Sequence, residues 1–355
     1  MNSINSTGER LPLSGVVVPG PPSRGFPARS LVSASTIHAE AASPWISPLL
    51  LAALCILNAF WPEFTTRYAW VPFLASLFFL GMPHGASDFA RMSDFFGARD
   101  WKNRFLFFSV YLFGMGLVLL LSLTAPGLSL LGFVAISVWH FGRSDLYPAR
   151  ASVPPLLRLA SRGLLLLSLP IAVHPEPVQD LVNGWMAILG GEALNEFAWS
   201  RVTSVALLTA GISVASSVLI ITLFGLHRDF ASFRRELVET TVLVTMLIFL
   251  NPVFALGAYF LFWHSLRHLK IHSGREIFSL SRLRELCGLD RRRAILFIPT
   301  VAVYVGLSML LFDSWVPDLQ VALLLIFFAV VTPSHEILHA IIQRSHSRGN
   351  NPGAE

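Results

Sequence analysis

The chain has 355 residues, of which 54% are hydrophobic and 13% charged, with a net charge of +5. A soluble globular protein carries about 25% charged residues; the few charges here, with a mean hydropathy of +0.63 and long apolar runs, exclude that class. They predict an all-α polytopic integral membrane bundle with about 8–10 transmembrane helices.

Residues 1–43 are rich in Ser, Pro, Gly and Ala and show no periodicity, so they read as a disordered N-terminal tail. Residues 44–343 form the membrane-embedded domain, and 344–355 a short polar tail. Between the tails lie about ten apolar runs, near 46–61, 69–87, 105–124, 128–142, 156–173, 203–226, 237–250, 253–268, 294–312 and 319–341. Several fall short of the roughly 20 residues that a spanning helix needs. The seventh and eighth are split by Asn251-Pro252 alone, which predicts a tight hairpin turn. Cys55 and Cys287 fit neither a disulfide framework nor a thiolate metal site.

Basic residues fall on alternate loops. With the N-terminus placed in the cytoplasm, every Lys and Arg except Arg67 and Arg201 lies on that side. By the positive-inside rule both termini are expected to be cytoplasmic, in a multi-pass protein of the cell (inner) membrane. The sequence pI of 9.7 therefore reflects topology, and no nucleic-acid partner is expected.

Six of the eleven histidines lie at the ends of even-numbered runs: His84, His140, His264, His268, His335 and His339. That topology brings all six to one layer on one side. A single histidine near a membrane interface is more often a surface or packing residue than a ligand. Four clusters at one depth favour a metal site, because ionisable groups within spans are costly. His264 and His268, four apart on a helix, can reach one ion together, and His84 and His140 complete a set of four from three helices. Imidazole suits Zn, Fe, Cu and Ni alike. Asp88 and Asp145 are placed to orient ligands by accepting a ring N–H, or to serve as solvated charges. Pro83 and Pro333 interrupt apolar runs, as beside a cavity. Phe79, Phe89, Trp139, Phe141, Phe262 and Trp263 flank the histidines as candidate wall residues. His272, the third of the stripe, falls beyond the span, and His174 belongs to the opposite face.

Together GMPHGASD (81–88), WHFGRSD (139–145), YFLFWHSLRH (259–268) and, more loosely, TPSHEILH (332–339) resemble the Brp/Blh family of β-carotene 15,15′-dioxygenases. The resemblance covers roughly residues 75–342. It implies a membrane enzyme that uses O2 to cleave the central double bond of β-carotene into two retinal molecules. It also implies Fe(II) held by His84, His140, His264 and His268, and a hand-off of retinal to a rhodopsin. The fourth motif departs from the family pattern: Ser334 separates Pro333 from His335, so His335 and His339 compete for an accessory role.

Two other readings fit parts of the sequence. HSLRH and HEILH match the HxxxH boxes of membrane di-iron desaturases and hydroxylases, but the adjacent His pairs of those enzymes are missing. A metal-ion or proton transporter would use membrane histidines, yet should hold them near the midplane rather than in one leaflet.

Overall fold

A computed structural model describes residues 45–79, 101–144, 153–267, 291–314 and 316–349. His84, Asp88, Phe89, Asp145, His268 and the N-terminal tail lie outside them. Twelve helices, and the π-helical segment that continues α10, make up the described helical chain. The twelve are α1 (Ile46–Phe60), α2 (Glu63–Arg67), α3 (Val71–Phe79), α4 (Trp101–Thr124), α5 (Pro126–Ser144), α6 (Pro155–Val173), α7 (Pro175–Ile188), α8 (Glu196–Leu226), α9 (Phe230–Phe249), α10 (Pro252–Ala258), α11 (Arg291–Leu311) and α12 (Pro317–Gly349). No strand occurs among the described residues, so the all-α reading holds.

Four helical stretches are long and apolar enough to cross a membrane: Phe105–Thr124, Pro155–Val173, Glu196–Leu226 and Pro317–Leu338. Nine of the ten expected apolar runs start within a helix; the run near 69–87 begins in the turn before α3 and extends beyond the described residues, and several of these helices are shorter than a full span. Along α4 the outward side chains are Phe105, Val110, Phe113, Leu117 and Leu120, a face suited to lipid rather than water.

The hairpin at Asn251-Pro252 forms as expected, and its cause is local. The Asn251 side chain accepts hydrogen bonds from the Val253 and Phe254 amides. Pro252 then occupies the first helical position, where a missing N–H costs nothing. Missing from the apolar runs is α7, because Glu176, Asp180 and Asn183 dilute its hydropathy. It is an amphipathic helix that buries Val178, Leu181 and Trp185 at helical spacing and packs on α12.

The two ends of the bundle differ in content. At one end the termini of α1, α6 and α9 meet: Asn58 Nδ2 donates to the Phe249 carbonyl at 3.0 Å, and His174 Nε2 bonds the Ile248 carbonyl at 2.9 Å. His174 thus lies at the end opposite His140 and His264, as the sequence predicts. Toward the other end, a buried ionic cluster links three elements. Arg162 of α6 reaches Glu236 and Glu239 of α9 at 2.9 and 3.5 Å, and Arg267, which follows α10, reaches Glu239 at 2.7 Å.

Two stretches are wound more widely than an α-helix. Leu159–Leu164 within α6 and Tyr259–Ser265 continuing α10 are π-helical. The first carries Arg162 and the second carries His264. Such wide turns recur at functional sites because they re-aim side chains.

Candidate metal centre

His140 is held in place by backbone contact on both sides of it. A Cβ on Gly163 would stand 2.1 Å from the Val138 carbonyl oxygen, and one on Gly142 would stand 2.8 Å from the Leu159 Cα. Only glycine allows α5 and the wide turn of α6 to approach this closely, which sets the depth of the intervening His140. The position of His264 is set from below and above. Below it, Tyr259 and Trp263 are fully buried in the main apolar cluster with Phe141, Leu243 and Met246. Above it, the Arg267 guanidinium lies 3.8 Å from the Trp263 ring and is tied to Glu239.

The two imidazoles meet. Nε2 of His140 and Nε2 of His264 are 3.1 Å apart, although 124 residues separate them in the chain. On its other side, Nδ1 of His140 lies 2.5 Å from a carboxylate oxygen of Glu336. His335, the residue before Glu336, is buried, and its ring centroid is 5.9 Å from that of His140. Donor atoms of His140, His335 and Glu336 all lie within 4.8 Å of one another. α12 is kept beside the site by Ser334, whose hydroxyl donates to the Tyr111 carbonyl at 3.4 Å. On α4, a Cβ at Gly114 would meet that hydroxyl at 2.8 Å.

A cavity of about 90 Å³ opens on these rings. His140, His264 and His335 line it together with Phe133, Phe141, Phe260, Phe328 and Val331, and the hydroxyls of Ser137, Ser265 and Thr332 add a polar margin. The Phe260 and Phe328 rings stack at 5.3 Å, and Phe141 meets Phe260 edge-on at 5.4 Å. Beside Phe328, Pro333 has no N–H, so the Ala329 carbonyl receives no helical bond from it.

Among the described residues the candidate donor set is nitrogen and carboxylate oxygen without thiolate, enclosed by apolar walls. Such a set suits a first-row metal ion. Two imidazole nitrogens each about 2.1 Å from one ion, the usual metal–nitrogen length, stand close to the observed 3.1 Å apart. The residues therefore fit a metal cofactor.

The family described as β-carotene 15,15′-dioxygenase matches residues 75–343. The chain belongs to this family. Membership in the dioxygenase family makes it an oxygenase. A curated relative, a probable β-carotene 15,15′-dioxygenase from Halobacterium salinarum, is 28% identical over 242 residues, covering 63% of this chain and 67% of the relative. No solved structure matches.

Against the expected site, the structure brings His140, His264 and His335 together. His84, His268, Asp88 and Asp145 lie outside the described residues, and the side chain of His339 does too, although its backbone is in α12. Of the candidate walls, Phe141 lines the cavity. Trp139 does not: it is 47% exposed and turned outward beneath Arg143, whose guanidinium is 5.0 Å from the ring. Trp263 packs beneath Arg267, and Phe262 lies against the main apolar cluster, away from the cavity.

Sequence reasoning missed Glu336. The motif TPSHEILH was read for its histidines, and the carboxylate between them was passed over. The available signal was a charged residue within an otherwise apolar stretch, Pro317–Leu338.

Proposed function

We propose that this chain is an iron(II)-dependent membrane dioxygenase that cleaves the central 15,15′ double bond of β-carotene with O2 to give two all-trans-retinal molecules. The observation that carries the reading is the 3.1 Å approach of His140 Nε2 to His264 Nε2 beside a phenylalanine-walled cavity, in a chain of this family. His84, His140, His264 and His268 hold the ion in this reading. When bound, the iron supplies the activation of O2 toward the electron-rich polyene.

The chain's own residues bind and orient the substrate. Phe260, Phe328, Phe141 and Phe133 offer ring faces and edges to a flat conjugated chain and exclude water from it. The cavity is far smaller than a carotenoid, so it receives the reacting segment, with the two ends of the polyene running beyond it. A substrate dissolved in lipid enters from the bilayer, which accounts for such an enzyme residing in the membrane. Both termini face the cytoplasm of the cell membrane, and the retinal formed passes to a rhodopsin or another retinal acceptor.

Expression in a β-carotene-producing bacterium tests the reading. Retinal should accumulate as the orange colour fades, and His264→Ala should abolish both. Persistent colour with well-expressed wild-type protein would overturn it. A second reading, a di-iron desaturase or hydroxylase, draws on the carboxylate of Glu336 beside His140 and His335. Metal analysis separates the two: near one iron per chain supports the dioxygenase, near two the di-iron enzyme.

A further inference from the structure

The two ring nitrogens of His140 face different partners. Nε2 faces Nε2 of His264 at 3.1 Å, and Nδ1 faces the Glu336 carboxylate at 2.5 Å. An ion held by both Nε2 atoms needs a lone pair from each, which requires the His140 proton to sit on Nδ1. An ionised carboxylate can only accept a hydrogen bond. A carboxylate against Nδ1 therefore selects that tautomer and turns the Nε2 lone pair toward His264.

Direct ligation by Glu336 beside Nδ1 fits poorly. Two donors each about 2.1 Å from one ion would be held at an angle of only about 73° by a 2.5 Å separation. A charge-assisted N–H···O bond accommodates the approach without an ion between them. The placement is also costly on its own account. The Glu336 side chain is 17% exposed and that of His140 11%, within a helix otherwise apolar enough to span a bilayer. A carboxylate in such a place is retained where it has a partner to serve.

We infer that Glu336 is a positioning residue of the metal centre: by accepting the Nδ1–H of His140 it fixes the tautomer and ring orientation that present Nε2 to the ion. This rests on the reading of His140 as a ligand. His335 then supplies cavity wall from the same turn of α12 that brings the carboxylate.

The test uses full-length protein purified in detergent, stripped of metal and titrated with Co(II), whose visible bands report ligand number. Wild type, Glu336→Gln, Glu336→Ala, Glu336→Asp and His140→Ala are compared, with melting of the metal-free forms as the control for folding. Loss of an orienting partner typically weakens metal affinity 10–100-fold. We expect about tenfold for Glu336→Gln, whose amide oxygen still accepts a hydrogen bond, and nearer 100-fold for Glu336→Ala. Partial recovery is expected in Glu336→Asp, and the saturated Co(II) bands should be unchanged across the Glu336 variants but altered in His140→Ala, which removes a ligand. Should Glu336→Ala misfold, the isosteric Glu336→Gln carries the test alone. Affinity within twofold of wild type in the folded variants overturns the inference and leaves the dioxygenase reading intact. Altered saturated bands, or loss of a second Co(II) equivalent, overturn it by making Glu336 a ligand. Wild-type protein that binds no Co(II) sinks the inference and the metal reading together.

Discussion

Tyr259 is fully buried beneath the histidines, and its hydroxyl has no hydrogen-bond partner among the described residues. A buried unsatisfied hydroxyl costs about 1–3 kcal/mol, so Tyr259→Phe should melt no lower than wild type in a thermal-shift assay. A drop of several degrees would mean the hydroxyl is bonded. Phe328 makes a different case, since its stack with Phe260 forms part of the cavity wall. Phe328→Ala removes one face of the proposed polyene slot and should raise KM for β-carotene more than it lowers kcat; the converse split would place Phe328 outside substrate contact. His140 and His264 were legible because their motifs are dense and the alternation of spans predicts one depth for both. Their separation of 3.1 Å was not, because it depends on the rotation of each helix. Glu336 was hidden for the same reason: on a helix, adjacent residues point about 100° apart, and only the packing of α12 shows that both His335 and Glu336 reach His140.

Helix approach explains how the residues of the site come to meet. Gly163 lets the wide turn of α6 touch the backbone of α5 at Val138, two residues before His140. Gly163→Ala places a methyl group where a carbonyl oxygen stands, and backbone cannot yield as a side chain would. The expected result is a loss of both folded yield and activity. Activity fully retained in Gly163→Ala would show that the spacing of α5 and α6 does not govern the site. The ionic cluster makes a second demand at this scale. Glu239 joins Arg162, Arg235 and Arg267 from three elements. Removing one member of a buried pair costs about 3–5 kcal/mol, so Glu239→Ala should lower the melting temperature sharply, whereas an unchanged melt would mean water screens the cluster. The sequence showed these arginines as part of a loop-charge pattern. It did not show their carboxylate partners, since Glu236 and Glu239 sit at the margin of an apolar run.

At the scale of the whole molecule, the all-α class was legible from apolar runs and charges alone. The amphipathic α7 was not, because its polar residues lower its hydropathy while its buried stripe packs on α12. The proposed orientation has its own test. A green fluorescent protein fused at the C-terminus should fluoresce, and alkaline phosphatase fused there should be inactive; the reverse would invert the bundle while leaving its contacts intact.

The π-helical stretch Tyr259–Ser265 has a consequence for the length of the chain itself. One end of this segment is anchored by the Asn251 cap and the other by the Arg267–Glu239 pair. A wide turn accommodates one more residue than an α-helix would between the same two anchors. Deleting a single residue there would leave a continuous helix of better hydrogen-bond geometry and a chain still able to reach both anchors. It would also swing His264 by about 100° away from His140. Helical regularity and a working centre are alternatives at this point, and this helix carries a surplus residue as the device that separates them.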